Sequence, residues 1–311
     1  MAEFELIARH FSALAPGGAG VRLGVGDDAA ILEAPAHRQL VMTLDTLVAG
    51  RHFFPDTDPE NLGHKALAVN LSDLAAMGAE PAWALLSLTL PEADEAWLSA
   101  FAVGFRELAL RHGVALVGGD TCRGPLSIAL QLTGLVEPGR ALLRSGARPG
   151  DRIFVTGTLG DAALALEGLL HSRKVDGALL RRLERPEPRL AEGRALVGIA
   201  SACIDISDGL VADLGHICER SGCAAVVQAA RVPRSAAVEA DLQERGDWRP
   251  LLAGGDDYEL CFTVPRQNIK ALESSGVRCT AIGEIRAGSG VKVVDESGRE
   301  LPSMHGYDHF A

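Results

Sequence analysis

The sequence has 311 residues, of which 47% are hydrophobic, and a formal net charge of −11. This length suits two domains of about 150 residues each, and the apolar content is that of a globular protein. The negative charge argues against non-specific nucleic-acid binding, which needs a basic surface. The longest apolar region, 66–90, contains Asp73 and Glu80, so we expect no membrane span.

Three further features limit the possible functions. Lysine is scarce, and no lysine follows a glycine-rich loop, so a Walker-type P-loop is not expected. The six cysteines form no CxxC pair and no zinc-binding spacing, which favours reduced, structural thiols. The segment 1–11 has an acid at position 3 and no apolar stretch before a small-residue cleavage site, so we expect no signal peptide. Together these features predict a cytoplasmic protein.

The first half of the chain alternates predicted strands and helices. Apolar runs bounded by turn residues predict strands, and longer periodic runs predict helices. In chain order, the predicted elements are strands 21–25 and 39–44, helix 59–77, strand 83–90, helix 92–112, and strands 114–117 and 127–136. Helix 59–77 is the clearest, because Asp58 can cap it, Pro59 suits its first position and Gly78 follows as a stop.

The second half is predicted to form a separate α/β domain. Segment 144–151 is rich in turn residues, so we place the boundary there, between an N-terminal domain 1–148 and a C-terminal domain 149–311. The features that follow are, in chain order, strand 152–156, a helix after Gly160-Asp161, arginine-rich helices up to about residue 197, motif 204–210 leading into a helix, and the apolar stretch 252–264.

Carboxylates recur in places that suit solvated charges poorly. They lie beside glycines, at predicted strand ends or inside apolar stretches: Asp27, Asp28, Asp45, Asp73, Asp120, Asp205, Asp208, Asp256 and Asp257. Because desolvating an unpaired acid is costly, such a set suggests binding of hard cations, with Mg²⁺ as the first candidate. This directs attention to phosphate chemistry.

Several of these acids also have a simpler interpretation. Segment 24–29 matches the letters of a GxGxxA dinucleotide fingerprint, but its two aspartates would repel a pyrophosphate unless Mg²⁺ lay between them, and a hairpin turn is the alternative. Thr43 and Asp45 point to one side of their strand and can share one metal shell; the alternative is a strand-end turn. Asp73, on the helix face it shares with Asn70, is either beside a metal ion or paired with a basic side chain.

The remaining candidates depend on tertiary structure. Asp120 follows Gly118-Gly119, where a nucleotide phosphate can approach the backbone closely. A lone histidine such as His52 is more often structural than catalytic, and no GxSxG motif supports a hydrolase triad. Four acids form one cluster only if the strands and the helix converge: Asp28, Asp45, Asp73 and Asp120.

Seven motifs occur in a fixed order along the chain. In the first half they are Gly-Val-Gly-Asp-Asp-Ala-Ala (24–30), Thr-Leu-Asp-Thr-Leu-Val-Ala-Gly-Arg-His-Phe (43–53), Lys-Ala-Leu-Ala-Val-Asn-Leu-Ser-Asp-Leu-Ala-Ala-Met-Gly-Ala (65–79) and Gly-Gly-Asp-Thr (118–121). In the second half they are Asp-Ile-Ser-Asp-Gly-Leu (205–210), Gly-Gly-Asp-Asp-Tyr-Glu-Leu-Cys-Phe (254–262) and Gly-Tyr-Asp-His-Phe (306–310). Over essentially the whole chain, these motifs resemble those of the thiamine-monophosphate kinase family.

The resemblance implies a two-domain α/β fold of the aminoimidazole ribonucleotide synthetase type, usually a homodimer paired through its N-terminal sheets. It also implies direct, in-line transfer of the γ-phosphate of ATP to thiamine monophosphate, with several Mg²⁺ ions and no residue assigned as acid or base. An acidic protein that handles two anionic substrates needs divalent cations to bridge them, which agrees with the composition. Neither nucleic acid nor membrane is an expected partner.

The resemblance assigns roles to individual positions. The implied metal ligands are Asp28, Thr43, the backbone at Leu44, Asp45, Asp73, Asp120, Asp205 and Asp208. The implied ATP contacts are Gly119, Asp120, Arg144 and Ser207. The implied contacts to thiamine monophosphate are His52, Asp256 and Tyr307. Asp256 would be a counter-charge for the thiazolium, and Tyr307 would offer an aromatic face. Relatives are expected to have Glu where this chain has Asp256, which keeps the charge but shortens the reach.

Other members of the superfamily are less compatible with the sequence. Selenophosphate synthetase would need a reactive cysteine or selenocysteine near the N-terminus, and the first cysteine here is Cys122. The hydrogenase maturation factor HypE would need a C-terminal cysteine, and aminoimidazole ribonucleotide synthetase has an early Asp-Gly-Val-Gly signature that is missing here. A metal-binding regulatory protein without catalysis is the alternative from another class, against which Asp120, Arg144 and Asp208 argue.

Overall fold

The computed structural model describes residues 18–304 and 306–307, which form two compact units. Unit 1 contains the described residues up to Leu74 together with Ala79–Gly139. Unit 2 contains Ala75–Gly78 together with the described residues from Arg140 onwards. The segment 1–11, in which we expect no signal peptide, and the end of motif 306–310 lie outside the described residues.

The elements before residue 140 alternate strands and helices, as predicted. They are β1 (Val21–Leu23), β2 (Ile31–Leu32), β3 (Gln39–Val48), α1 (Pro59–Ala76), β4 (Glu80–Leu90), α2 (Glu95–His112), β5 (Ala115–Arg123) and β6 (Ser127–Val136). The predicted cap of α1 is confirmed, because Asp58 accepts the N–H groups of Glu60 and Asn61. Helix α2 begins later than predicted, since Asp94 caps it by accepting the N–H of Ala96.

Unit 1 contains a four-stranded sheet in the order β3-β6-β4-β5, in which β4 and β5 are parallel and the other neighbours antiparallel. Side chains alternate between its two faces. One face packs on α1, which buries residues such as Leu130 and Leu132. The opposite face leaves Leu40, Met42 and Leu44 between 52% and 64% exposed.

Two strands of this sheet are longer than the sequence predicts. β3 pairs with β6 along its whole length, from Gln39 to Val48, so Asp45 lies inside the strand rather than at its end. β5 likewise continues through its glycines, because it pairs with β4 as far as Arg123. In both cases the partner strand supplies hydrogen bonds that the local sequence does not reveal.

Unit 2 is also a mixed α/β structure. Its elements are β7 (Arg152–Thr156), α3 (Asp161–Leu170), α4 (Gly177–Glu184), α5 (Leu190–Leu196), β8 (Ala202–Asp205), α6 (Leu210–Ser221), β9 (Ala224–Gln228), α7 (Ala236–Arg245), α8 (Arg249–Leu252), β10 (Leu260–Val264), α9 (Ile269–Ser274), β11 (Cys279–Arg286) and β12 (Gly290–Val294). The six-stranded sheet has the order β12-β9-β11-β7-β10-β8 and is parallel only between β12 and β9.

The sheet of unit 2 determines which loops meet. The end of β8 lies beside the start of β10, since Asp205 pairs with Leu260. The loop after β8 is therefore a neighbour of the loop that precedes β10. Beneath both loops, α6 packs on the apolar core through Leu214 and Ile217.

The division between the units falls after Gly139, earlier than the boundary predicted at 148/149. Residues 140–148 join unit 2 because their backbone is hydrogen-bonded there. The Leu143 carbonyl accepts the N–H of Cys203, and the Ser221 hydroxyl accepts the N–H groups of Gly146 and Ala147. The turn residues of this segment mark its irregular backbone, but they do not reveal which unit it packs against.

In the part of the chain that the structure describes, no helix has the combination of length and apolar character needed to cross a membrane.

Candidate active site

Three residues predicted to bind metal meet in unit 1. Thr43 and Asp45 lie on β3, and Asp73 lies on α1. The Thr43 hydroxyl donates a hydrogen bond to the Asp73 carboxylate, and Asp45 is also hydrogen-bonded to Asp73. The two β3 side chains point to the same side of the strand, as predicted, and that side faces α1.

This arrangement raises the pKa of Asp45 to about 7. Burial is the largest cause, followed by the negative charge of Asp73 and the hydrogen bond to it. Two carboxylates and a hydroxyl are oxygen donors of the kind that Mg²⁺ binds, with water and phosphate oxygens completing its shell. Among the described residues, no group of three or more His, Cys, Asp or Glu side chains could hold a metal ion.

Asp120 lies on the other face of the same sheet. By register, Thr46, Ala129, Ser87 and Asp120 form one row across the four strands. Side chains of one row point to the same face, and Asp45 lies in the adjacent row. Within unit 1, Asp120 consequently does not join Asp45 and Asp73 in one cluster. The physical reason is that β5 continues past its glycines, so Asp120 belongs to a strand and not to the loop predicted after it.

Gly119 and Asp28 both have local structural explanations. A Cβ at Gly119 would lie 1.8 Å from the Leu86 carbonyl oxygen, so β5 can pass β4 here only with glycine. Asp28 is exposed in the connection between the antiparallel strands β1 and β2, where its N–H donates to the Asp27 carboxylate at 2.9 Å. This is the hairpin turn that the simpler interpretation of segment 24–29 predicts.

His52 is held by the backbone of the turn that follows β3. The ring nitrogen Nδ1 of His52 accepts the backbone N–H of Val48 at 3.0 Å, and the backbone N–H of His52 donates to the Val48 carbonyl. Because Nδ1 is an acceptor, the neutral ring carries its proton on Nε2. Nε2–H is a donor suited to a phosphate oxygen.

The Leu44 side chain lies on the exposed apolar face of the sheet in unit 1. Only the backbone of Leu44 can therefore serve as the predicted metal ligand.

In unit 2, the predicted metal, nucleotide and substrate residues come together around the loop after β8. Asp205 is the buried last residue of β8, and Ser207 and Asp208 follow it. The Ser207 carbonyl accepts the N–H of Asp256 at 2.9 Å. The Asp208 carbonyl accepts the N–H of Tyr307 at 3.1 Å. Two backbone hydrogen bonds thus join three segments that are far apart in sequence.

The segment that carries Asp256 has an unusual backbone. Asp256 and Tyr258 have φ angles of 65° and 50°, a left-handed conformation that side-chain-bearing residues adopt at a cost of about 1–3 kcal/mol each. The Tyr258 N–H donates to the Ile206 carbonyl at 2.8 Å, and its hydroxyl donates to Asp256 at 3.0 Å. Such conformations persist where the surroundings determine them, and they cluster at functional sites.

Along the chain, Arg144 lies between β6 and β7, in a segment that belongs to unit 2. Its carbonyl accepts the Ser221 hydroxyl at 3.2 Å, and its side chain is exposed. The backbone is therefore anchored, and the guanidinium group is available to an anionic ligand.

The acids of motif 254–262 have different roles, which the sequence analysis does not separate. Asp256 is partly exposed, whereas Asp257 and Glu259 are buried. Burial raises the pKa of Asp257 well above its ordinary value. Glu259 accepts hydrogen bonds from Arg182 at 2.9 Å and from Arg189 at 2.5 and 2.6 Å. The arginine-rich stretch was the available signal, but its partner acid lies about seventy residues away in sequence.

None of the sequence motifs identifies Asp213. This buried acid in the first turn of α6 accepts N–H groups from the loop after β8. Its only sequence signal is an acid four residues after Gly209, inside the helix that the loop opens.

Comparisons with known proteins agree with the two-domain fold. The N-terminal domain model of the AIR synthase related protein family matches residues 26–136, and the C-terminal domain model matches residues 148–296. A thiamine-monophosphate kinase of Escherichia coli (strain K12) is 48% identical over 319 residues, which cover 99% of this chain and 98% of the relative. The chain belongs to the thiamine-monophosphate kinase family. The resemblance and the two-domain α/β fold predicted from the motifs are thereby confirmed.

Solved structures of the thiamine-monophosphate kinase family match both units. The enzyme from Stenotrophomonas maltophilia K279a is 47% identical, with a TM-score of 0.87 and coverage of 97% of this chain and 98% of that one. The structure of AaThiL complexed with AMPPCP and TMP is 34% identical, with a TM-score of 0.80 and coverage of 99% of this chain and 97% of that one.

Proposed function

We propose that this protein transfers the γ-phosphate of ATP to thiamine monophosphate, giving thiamine diphosphate and ADP. The observation that carries the proposal is the likeness over 99% of the chain to a structure complexed with AMPPCP, an ATP analogue, and TMP. The acids of both units support the proposal, because a protein with a net charge of −11 needs bound cations to bring two anionic substrates together.

Mg²⁺ is the cation that this donor set fits best. Asp45 and Asp73 would hold one such cation in unit 1, with Thr43 beside them, and Asp205 and Asp208 would hold another in unit 2. We propose Asp28 and Asp120 as further metal ligands. They would bind cations that the bound nucleotide also coordinates. When bound, the cation neutralises phosphate charge and aligns the two substrates for in-line transfer. Positioning and charge neutralisation are most of what this reaction requires, so no side chain is assigned as general acid or base.

The remaining residues bind and orient the substrates. The Arg144 guanidinium offers a planar fork to phosphate oxygens, and Ser207 and Gly119 provide close polar contacts to ATP. His52 would offer Nε2–H as a donor to the acceptor phosphate, since its Nδ1 accepts the N–H of Val48. Asp256 faces the cationic thiazolium, and Tyr307 provides an aromatic surface next to it. The hydrogen bonds from Asp256 and Tyr307 to the loop after β8 support placing the substrate beside the nucleotide.

The proposal includes a homodimer in the cytoplasm. The exposed face of the sheet in unit 1 carries Leu40, Met42 and Leu44, and an apolar surface of this kind is typical of an interface. All six cysteines are free thiols, as a reducing compartment requires. Light scattering should give twice the 32.7 kDa chain mass, and Met42→Glu should give the single mass. Leu110→Glu, on the exposed side of α2, is the matched control and should remain dimeric.

The test of the function is product formation by the purified protein. With ATP, Mg²⁺ and thiamine monophosphate, chromatography should show thiamine diphosphate and ADP in equal amounts, and EDTA should abolish both. Parallel reactions with selenide or with formylglycinamidine ribonucleotide should give no ADP above background. Turnover with either of these instead would reassign the substrate residues His52, Asp256 and Tyr307. Absence of turnover with all three would favour a non-catalytic, metal-binding protein.

A further inference from the structure

One carboxylate organises the backbone of the loop after β8. The N–H groups of Ser207, Asp208 and Gly209 all donate to the same oxygen of Asp213, each at 3.1 Å. Three consecutive amides that converge on one point form an anion-binding nest, and here the protein's own carboxylate fills it. Asp213 is only 3% exposed, so water does not compete for these hydrogen bonds.

The geometry of the loop depends on this contact. Gly209, which precedes α6, has a φ of 117°, and a Cβ there would lie 2.7 Å from the Ala253 carbonyl carbon. Asp213 also donates its own N–H to the Gly209 carbonyl at 3.0 Å, so both its backbone and its side chain hold the turn. Burial and the charge of Asp208 raise the pKa of Asp213 to about 7, while the backbone N–H groups oppose this shift.

The other side of the loop faces the candidate site. While the N–H groups of Asp208 and Gly209 point to Asp213, the carbonyls of the same two peptide groups, those of Ser207 and Asp208, accept the N–H groups of Asp256 and Tyr307. The peptide planes of the loop thus connect Asp213 to the two segments that carry substrate residues. Fixing the amides on one side fixes the direction of the carbonyls on the other, because each peptide group is planar.

We propose that Asp213 is a positioning residue for the reaction, which sets the backbone of the loop 207–209 and, through it, the placement of Asp208, Asp256 and Tyr307. The effect on substrate binding rests on the proposed function, whereas the geometry of the loop does not. Asp213 touches neither nucleotide nor substrate in this assignment. Its effect is on where the binding groups lie before the substrates arrive.

The test compares three variants: Asp213→Ala, Asp213→Asn and, as a matched control, Asp151→Asn. Asparagine keeps an oxygen acceptor and the volume, and should therefore restore part of what alanine removes. Asp151 is an equally buried acid that accepts the N–H of Arg148 and the hydroxyl of Ser201, beside the opposite end of β8. It measures what loss of a buried, hydrogen-bonded charge does without disturbing the loop.

Two measurements on the full chain are needed. In hydrogen exchange, the amides of 207–209 should exchange about tenfold faster or more in D213A, less so in D213N, and at the wild-type rate in D151N. In calorimetry with Mg²⁺ and AMPPCP, the affinity should fall about tenfold or more in D213A and be partly restored in D213N. D151N should lower the unfolding temperature while leaving that affinity unchanged.

A folded D213A protein with wild-type exchange at 207–209, or with wild-type affinity for Mg²⁺ and AMPPCP, would overturn the proposal. If D213A does not fold, D213N decides the question by the same two readouts. Wild-type protein that fails to phosphorylate thiamine monophosphate would count against the proposed function alone, because the exchange comparison does not depend on turnover. Normal wild-type turnover with unchanged exchange in the variants would count against Asp213 alone.

Discussion

Asp45 in unit 1 is partly buried and Glu259 in unit 2 is fully buried, and the side chains next to these two acids differ in charge. Asp45 is hydrogen-bonded to a second carboxylate, Asp73, and its pKa is raised to about 7. Glu259 is fully buried and accepts hydrogen bonds from Arg182 and Arg189. A buried acid with two guanidinium groups is electrostatically complete and stabilises the fold. A carboxylate pair is stabilised when a cation arrives, which is typical of a binding site.

The largest effect is expected from removing a charge of the carboxylate pair. Asp73→Asn should lower turnover by about 10³-fold or more, because the proposed cation would lose a ligand in the transition state, while the protein stays folded. Steady-state kinetics and circular dichroism measure the two properties. A folded variant with nearly normal turnover would show that the pair is not a functional cation site.

The second-largest effect is expected at Glu259, the buried acid that is paired with two arginine side chains. Glu259→Gln keeps the shape but removes the buried charge that Arg182 and Arg189 share, so the free energy of unfolding should fall by about 3–5 kcal/mol. Glu167→Gln is the matched control, because Glu167 pairs with Arg245 near the surface and should contribute at most about 1 kcal/mol. Denaturant titration measures both variants. Equal losses for the two would contradict the distinction between a buried and a superficial ion pair.

A smaller effect should appear in the pH dependence of stability. The pKa of Asp45 is raised from 3.8 to about 7, so between these values the unfolded chain loses a proton that the folded protein keeps. Stability without metal should therefore fall as pH rises from about 4 to 7, and Asp45→Asn should reduce this fall by on the order of 2–4 kcal/mol. Urea unfolding at pH 5 and pH 8 in EDTA measures it. An identical pH dependence in wild type and variant would contradict the raised pKa.

The smallest effect is expected at an acid whose proposed partner is the substrate itself. Asp256→Asn removes the counter-charge of the thiazolium and should raise the KM for thiamine monophosphate by about tenfold, with little change in the KM for ATP. The two KM values serve as each other's control. An equal increase in both KM values would indicate that Asp256 stabilises the loop and does not contact the thiazolium.

The sequence predicts the local elements well where the local signal is complete. Helix α1 has Asp58, Pro59 and Gly78 at its ends, and strand β6 spans the predicted residues 127–136. Motifs are equally local, because each binding loop keeps its residues within a few positions of one another. The acids of both halves and the family to which the chain belongs were therefore accessible from the order of the residues alone.

Tertiary structure decided which of those acids meet and which charge lies beside each. Asp45 reaches Asp73 because β3 continues along its partner β6, whereas Asp120 is turned to the opposite face by the register of β5. Glu259 finds its arginines across about seventy residues, and Asp213 acts on a loop whose amides point inwards only in the folded chain. Composition and spacing determined that carboxylates would be placed away from water. Strand pairing and loop packing, which depend on contacts distant in sequence, determined whether each one is a structural ion pair, a loop anchor or a candidate cation ligand.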